Sequence, residues 1–122
     1  MLAYATLGTN DMPRAMAFYD ALFATLGARR VWSTDRFVAW STSPTAPALA
    51  IGHPYDGKQA VAGNGVMIAL QADSTAQVDA VHAQALALGG KDEGAPGRRS
   101  DDFYAGFFRD LDGNKLNVCF MG

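Results

Sequence analysis

The sequence predicts an α+β fold built from two βαβββ modules, and this prediction rests on a repeat in the chain. Asp11 opens an apolar-periodic segment that ends at Gly27, and Asp73 opens a second that ends at Gly89, so the two copies lie 62 positions apart. Each segment follows a short apolar stretch and precedes further strand-like runs. Helices that punctuate mostly antiparallel strands favour an α+β fold over a doubly wound parallel sheet.

The first module begins with a strand predicted at residues 2–8. Asn10 or Asp11 can cap the helix that follows, because either side chain can accept from the free backbone N–H groups of a helix start. Pro13 fits the first turn, and Gly27 is well placed to end the helix. Spacings of three and four give this helix a core-facing stripe made of Ala15, Tyr19, Leu22 and Leu26. Three further strands are predicted at 29–33, 37–42 and 48–53.

A loop rich in Gly and Asn, residues 54–65, is predicted to join the modules. The second module then repeats the plan with a strand at 66–71 and a helix capped by Asp73 or Ser74. The buried stripe of this helix is predicted to be Val78, Val81, Ala85 and Leu88.

The last third of the chain is predicted to be part loop and part hairpin. Residues 91–99 are predicted to be mostly loop, since Gly94, Pro96 and Gly97 limit a strand there. Strands at 103–109 and 115–120 flank the Asp112-Gly113 step, which favours a hairpin.

We therefore expect a single domain over residues 1–122, with modules at about 1–54 and 64–122, that forms a cup-shaped, mostly antiparallel sheet. Each helix is expected to cover one face of its own sheet. The opposite faces of the two sheets are expected to curl toward each other and enclose a cleft.

Composition excludes several classes of function. The formal net charge is -2 and no basic stripe is visible, so a nucleic-acid partner or an anionic membrane surface is not expected. No window approaches the roughly 20 apolar residues that span a bilayer. The single cysteine, Cys119, cannot form an internal disulfide, which predicts a cytoplasmic protein with Cys119 as a small buried side chain.

Two motifs resemble those of a known family. The run from Leu7 to Tyr19, Leu-Gly-Thr-Asn-Asp-Met-Pro-Arg-Ala-Met-Ala-Phe-Tyr, and the late run from Phe108, Phe-Arg-Asp-Leu-Asp-Gly-Asn-Lys-Leu, are similar to the signatures of the vicinal-oxygen-chelate superfamily. That superfamily includes glyoxalase I, bleomycin-resistance proteins and extradiol dioxygenases. The resemblance covers essentially the whole chain and is to small glyoxalase-like members. Because relatives commonly pair into dimers, sometimes exchanging modules, it also implies a possible homodimer.

The resemblance implies positions for a divalent metal that this chain does not fill with suitable donors. Relatives that are enzymes hold the metal with His, Gln or Glu from corresponding strands of the two halves. The corresponding positions here are Tyr4, Val66 or Met67, Asn117, and one of Leu49, Ala50 and Ile51. Because a hard divalent ion needs anionic oxygen or imidazole nitrogen ligands, we expect no metal and no other cofactor.

The function predicted from these residues is binding of a small molecule, such as an aromatic or drug-like compound, in a cleft without the usual metal ligands. We predict that five residues line it: Tyr4, Thr6, Met67, Tyr104 and Asn117. Tyr4 and Asn117 would hydrogen-bond the ligand. The structural alternative is that Tyr4 is a core residue with a tethered hydroxyl and that Asn117 satisfies neighbouring backbone groups.

Other residues leave alternatives open, and no catalytic residue can be named. A metal-dependent lyase, isomerase or dioxygenase would need ligands from unexpected positions, such as His53 with loop carboxylates; a purely structural or regulatory dimer is a third possibility. His53 is otherwise expected at a strand end, and His82 as a partly exposed helix residue. Arginines flanking the aromatic-rich strands could reach an anionic substituent or be solvated: Arg36, Arg98 and Arg99.

Overall fold

The computed structural model describes residues 1–122 and confirms two successive βαβββ modules. The first module contains β1 (Tyr4–Gly8), α1 (Met12–Ala24), β2 (Arg29–Ser33), β3 (Phe37–Ser41) and β4 (Ala48–Gly52). The second contains β5 (Ile68–Gln71), α2 (Thr75–Ala87), β6 (Lys91–Ser100), β7 (Phe103–Arg109) and β8 (Lys115–Phe120). Neither helix is long and apolar enough to cross a membrane.

Each module forms its own four-stranded sheet. The strand orders are β1-β4-β3-β2 and β5-β8-β7-β6. In each sheet the first and last strands of the module pair in parallel, and the remaining pairs are antiparallel, as predicted for a mostly antiparallel sheet. β1 and β5 do not pair with each other, so each leaves one edge of its sheet free.

The helix starts follow the capping chemistry read from the sequence. Asp11 accepts a hydrogen bond from the Arg14 backbone N–H at 3.1 Å, and Ser74 accepts one from the Gln77 N–H at 3.1 Å. Asn10 does not cap the helix. Its carboxamide donates to the Ala60 carbonyl and accepts from the Ala60 backbone N–H. The cap residue is thus resolved as Asp11 in one module and Ser74 in the other.

The prediction of a loop at residues 91–99 is wrong, since Lys91–Ser100 forms the edge strand β6. The pairing of β6 with β7 shifts register between Asp92 and Gly94, between Gly94 and Gly97, and between Arg98 and Ser100. These bulges leave Pro96 outside the regular ladder, where its missing N–H costs no hydrogen bond. An edge strand can absorb such residues, whereas a central strand cannot.

A single hydrophobic core joins the two modules. α1 and α2 contact each other, and residues from the helix-facing sides of both sheets belong to one buried cluster. Examples are Leu7 and Ile51 from the first module with Phe108 and Leu116 from the second. The helix-free face of each sheet therefore lies outside this core. This differs from the expected cleft enclosed within the chain, because it is the helices, not the helix-free faces, that meet.

A buried carboxylate fixes the junction between the modules. Asp110 is 5% exposed and accepts hydrogen bonds from the Tyr19 hydroxyl of α1 at 2.6 Å and from the backbone N–H groups of Asp112 and Asn114 at 2.9 Å each. The Asn114 carboxamide also donates to the Gly8 carbonyl at 2.9 Å. The turn before β8 thereby holds both α1 and the end of β1.

We predict that Tyr19→Phe lowers the free energy of unfolding by about 1–3 kcal/mol, because the buried Asp110 carboxylate loses a hydrogen bond. Burial, and then the charge of Asp110, raise the pKa of Tyr19 well above its ordinary value. The folded protein therefore holds this proton more tightly than the unfolded chain, so wild-type stability should fall as pH rises above about 10.

Urea denaturation between neutral pH and about pH 11 measures both effects. In the Tyr19→Phe variant, the free energy of unfolding should decrease less between neutral pH and about pH 11 than it does in wild type. The control Tyr55→Phe, at a tyrosine that is 92% exposed, should behave as wild type. An identical pH dependence in wild type and Tyr19→Phe would contradict the prediction.

Candidate functional site

The helix-free face of the first sheet carries an aromatic pair above a floor of small residues. Tyr4 and Trp32 come from the two edge strands β1 and β2, yet their ring centroids are 5.3 Å apart at an interplanar angle of 79°. Both rings must therefore extend across β4 and β3. Ala39 and Ala50 lie beneath and are fully buried although no helix covers this face.

This aromatic pair is open to solvent. Tyr4 is 54% exposed and Trp32 is 39% exposed, so Tyr4 is not the core residue that the structural alternative requires. Exposed aromatic surface that rests on a flat floor suits stacking on a planar molecule. The face therefore offers an apolar platform on the outside of the chain.

The helix-free face of the second sheet contains an unsatisfied buried amide. Asn117 lies between Ala69 and Phe107 in register across the sheet. It is 2% exposed, and its Oδ1 atom has no hydrogen-bond partner. Such an acceptor costs about 1–3 kcal/mol. Asn117 does not satisfy its neighbours in the way that the structural alternative supposes, which makes it a candidate for contact with a ligand.

Two cations lie beside Phe107, the residue paired with Asn117 on the neighbouring strand. The Arg99 Cζ and the Lys115 Nζ lie 5.5 Å and 5.6 Å from the centroid of the Phe107 ring. Arg109, the next cation along this face, is paired with Glu93 at 2.9 Å. The second helix-free face is therefore aromatic and positively charged at its centre.

A cavity of about 760 Å³, which we call the edge cavity, lies between the free edges of β1 and β5. Its size is within the range of ligand pockets, and most of its lining is hydrophobic. Tyr4 and Met67 both line it, with the end of α1 and the β3–β4 connection on the far side.

A second cavity of about 460 Å³, which we call the loop cavity, lies between the helix-free face of the first sheet and residues 53–61. Its polar lining comes from Thr6, Arg36, His53, Asp56 and Gln59. The sequence does not predict this cavity, because its walls depend on how the loop folds back onto β1.

The five residues predicted for the site are distributed over several surfaces. Tyr4 and Met67 share the edge cavity, Thr6 lines the loop cavity, and Asn117 lies on the second helix-free face. Tyr104 is on the opposite face, where its hydroxyl donates to Asp79 of α2 at 2.6 Å. This hydrogen bond is the main cause of the raised pKa of Tyr104. The chain alone does not bring the five together.

The residues at the metal positions of the superfamily do not fit a divalent ion. Tyr4, Ala50, Met67 and Asn117 offer a phenol, a methyl group, a thioether and a carboxamide, none of which matches the anionic oxygen or imidazole ligands that such ions prefer. No group of three or more His, Cys, Asp or Glu residues is placed to hold a metal ion. We therefore derive no chemistry from a metal at this site.

The prediction that His82 is partly exposed is wrong. It is 5% exposed, and its Nε2 atom lies 3.1 Å from Asp92 Oδ1 and 3.2 Å from the Phe107 carbonyl oxygen. The backbone N–H of Gly94, and then His82, lower the pKa of Asp92. The signal was in the sequence, since His82 lies four residues after Val78 and three before Ala85 on the buried stripe of α2.

Comparison with known proteins connects this fold to one family. The model of the Glyoxalase/Bleomycin resistance protein/Dioxygenase superfamily matches residues 1–118, which confirms the resemblance read from the two motifs. No protein of curated function matches the chain.

Solved structures show the same fold. A glyoxalase/bleomycin resistance protein from Albidiferax ferrireducens T118 is 36% identical, with a TM-score of 0.89 over 98% of this chain and 97% of that one. A superfamily enzyme from Burkholderia phytofirmans PsJN is 17% identical, with a TM-score of 0.76 over 96% and 95% of the chains. A lactoylglutathione lyase from Agrobacterium tumefaciens is 22% identical, with a TM-score of 0.68 over 98% and 92%. The last two comparisons show the fold alone.

We predict that Asn117→Leu raises the free energy of unfolding by roughly 1 kcal/mol, because it replaces an unmatched buried amide by an apolar group of similar size. Thermal or urea denaturation measures the change. Asn114→Leu is the matched control: it removes the bonds to Gly8 and Asp110 and should be clearly destabilising. A loss of stability in Asn117→Leu would show that this amide is structural.

Proposed function

We propose that this chain, which belongs to the Glyoxalase/Bleomycin resistance protein/Dioxygenase superfamily, binds a small aromatic molecule without a metal centre. The binding cleft in this proposal is formed by two copies of the chain. Tyr4 and Trp32 of one copy supply an aromatic wall, and Asn117 of the other supplies a polar group on the facing wall. The cytoplasm is the location proposed with this function, since Cys119 is a free thiol.

One observation carries the proposal: the two helix-free faces lie on the outside of a shared core. The Tyr4 and Asn117 faces cannot meet within one chain because α1 and α2 occupy the space between the sheets. Exposed apolar surface of this kind marks an interaction site. A second copy of the chain would supply the facing wall, because its Asn117 face can lie against the Tyr4 face of the first copy.

The free sheet edges support this arrangement. β1 and β5 each have one unpaired edge, and residues 67–71 of the second module line the edge cavity beside Tyr4 and Ala5. An unpaired strand edge is a template for pairing with another chain. If β1 of one copy lies beside β5 of the other, the helix-free faces of two different modules join into one concave surface.

The roles of the residues follow from their chemistry. One ring of the Tyr4–Trp32 pair would stack on a planar ligand and the other would meet its edge, because the two rings are at 79° to each other. The Asn117 Oδ1 atom would accept a hydrogen bond from a polar substituent. Met67 and Thr6 would shape the two ends of the cleft. No donor set in the structure favours the metal-dependent alternative, so the proposal is a binding protein.

We predict that the purified protein binds a neutral aromatic probe, naphthamide, and quenches Trp32 fluorescence equally with and without EDTA. Tyr4→Ala should weaken binding by about 3- to 10-fold, as expected for the loss of a stacking partner. Trp32→Phe is the control that shows whether the quenched fluorescence comes from Trp32. Retention of a stoichiometric divalent metal after dialysis, with probe binding abolished by EDTA, would contradict the proposal.

We predict that the protein has twice its 12.9 kDa chain mass in light scattering and that Ala69→Lys converts it to a monomer that binds naphthamide poorly. Ala69 is exposed on the free-edge strand β5, where a lysine opposes edge pairing. Ala83→Lys, at an exposed position of α2, is the matched control and should remain dimeric. A wild-type monomer with full probe affinity would refute the shared cleft.

A further inference from the structure

We infer that the loop cavity is an oxyanion site built around Arg36, and that the ligand is therefore an aromatic molecule carrying a carboxylate or phosphate group. This inference rests on the proposed function and deepens it, since it names the chemical class of the ligand.

The Arg36 guanidinium lies against two aromatic rings and has no anionic partner. Its Cζ atom lies 4.7 Å from the centroid of the Phe37 ring and 5.1 Å from that of Tyr55. None of the ion pairs in the chain involves Arg36. A guanidinium stacked on aromatic rings keeps its N–H groups free and has already lost much of its rotamer freedom. Its planar fork of donors suits a carboxylate or phosphate.

The rest of the cavity lining suits an anion as well. The Thr6 hydroxyl and the Gln59 carboxamide can donate hydrogen bonds, and His53 adds an imidazole. Asp56 is the single carboxylate in the lining, and it already accepts from the Lys58 backbone N–H at 2.9 Å. The balance of donors over acceptors therefore favours a negatively charged group.

The loop that closes the cavity is fixed without a ligand. The Asn10 carboxamide donates to the Ala60 carbonyl at 3.0 Å and accepts from the Ala60 N–H at 2.7 Å. Ala60 seats directly on β1, since a Cβ on Gly8 would lie 2.8 Å from the Ala60 Cβ. The buried anchor at Ala60 holds the end of the loop, so the cavity is already formed before a ligand binds.

The loop cavity and the Tyr4–Trp32 pair lie on the same face of the first sheet. Thr6 lies on the same face of β1 as Tyr4, two residues further along, which is a distance of about 7 Å in a strand. A planar ring on Tyr4 and Trp32 would thus place a short anionic substituent within reach of the loop cavity. The second helix-free face, which forms the facing wall in the proposed dimer, also suits an anionic ligand. Arg99 and Lys115 flank Phe107 there, although the chain as a whole has a net charge of -2.

The test compares naphthoate with its neutral counterpart naphthamide in wild type and in Arg36→Gln, by calorimetric titration. Loss of a charge-assisted hydrogen bond should weaken naphthoate binding about tenfold or more and leave naphthamide unchanged. Lys58→Gln is the matched control, because it removes one positive charge from the same loop at a residue that does not line the cavity. Arg36→Lys, which keeps the charge but loses the planar fork, should give an intermediate loss and covers the case in which Arg36→Gln misfolds.

Inorganic phosphate separates this inference from the proposed function. Phosphate should raise the Tm of wild type and of Lys58→Gln, and not that of Arg36→Gln. If naphthamide binds and Arg36→Gln leaves naphthoate affinity unchanged, the oxyanion site is refuted while the aromatic cleft stands. If phosphate stabilises through Arg36 but neither naphthalene compound binds, the oxyanion site stands and the aromatic cleft is refuted. Equal losses in Arg36→Gln and Lys58→Gln would indicate general electrostatics and overturn the inference.

Discussion

The buried Asp110 carboxylate is the interaction on which the arrangement of the two modules depends. A charge removed from water is tolerated only when hydrogen bonds replace its hydration, and Asp110 obtains them from α1, from its own turn and from the Asn114 side chain. The same turn reaches back to the residue that follows β1, because Asp112 accepts from the Thr9 hydroxyl at 2.6 Å. Satisfying one carboxylate thereby sets the position of one module against the other.

This junction explains why neither helix-free face is covered by the other module. With α1 and α2 packed together around one core, each sheet keeps its other face outside that core, and no helix packs on it. Trp32 and Tyr4 cover part of the first face by resting on each other. Asn117 on the second face is buried without a partner for its oxygen. A ligand that covered the exposed rings and gave the Asn117 oxygen a hydrogen-bond donor would therefore gain binding free energy.

The sequence predicted the elements well because their signals are local. Helix caps depend on residues within three positions, so the sequence narrows each cap to two neighbours, and the structure shows that Asp11 and Ser74 are the caps. Edge strand β6 was missed because its bulges depend on pairing with β7. The sequence does not show that Tyr104 faces α2, because a shift of one residue along a strand changes the face and the parity of β7 depends on its pairing. The stacking of Arg36 on Tyr55 joins a strand to a loop that only tertiary structure positions.

The irregular outer strands also have a consequence for how far association could proceed. Beyond β1 and β5, each sheet ends in a strand with shifted register: β2 is irregular between Arg30 and Trp32, and β6 is interrupted three times and contains Pro96. Such borders are poor templates for adding another chain. Extension of either sheet by another chain is thus confined to the β1 and β5 edges, one border of each module.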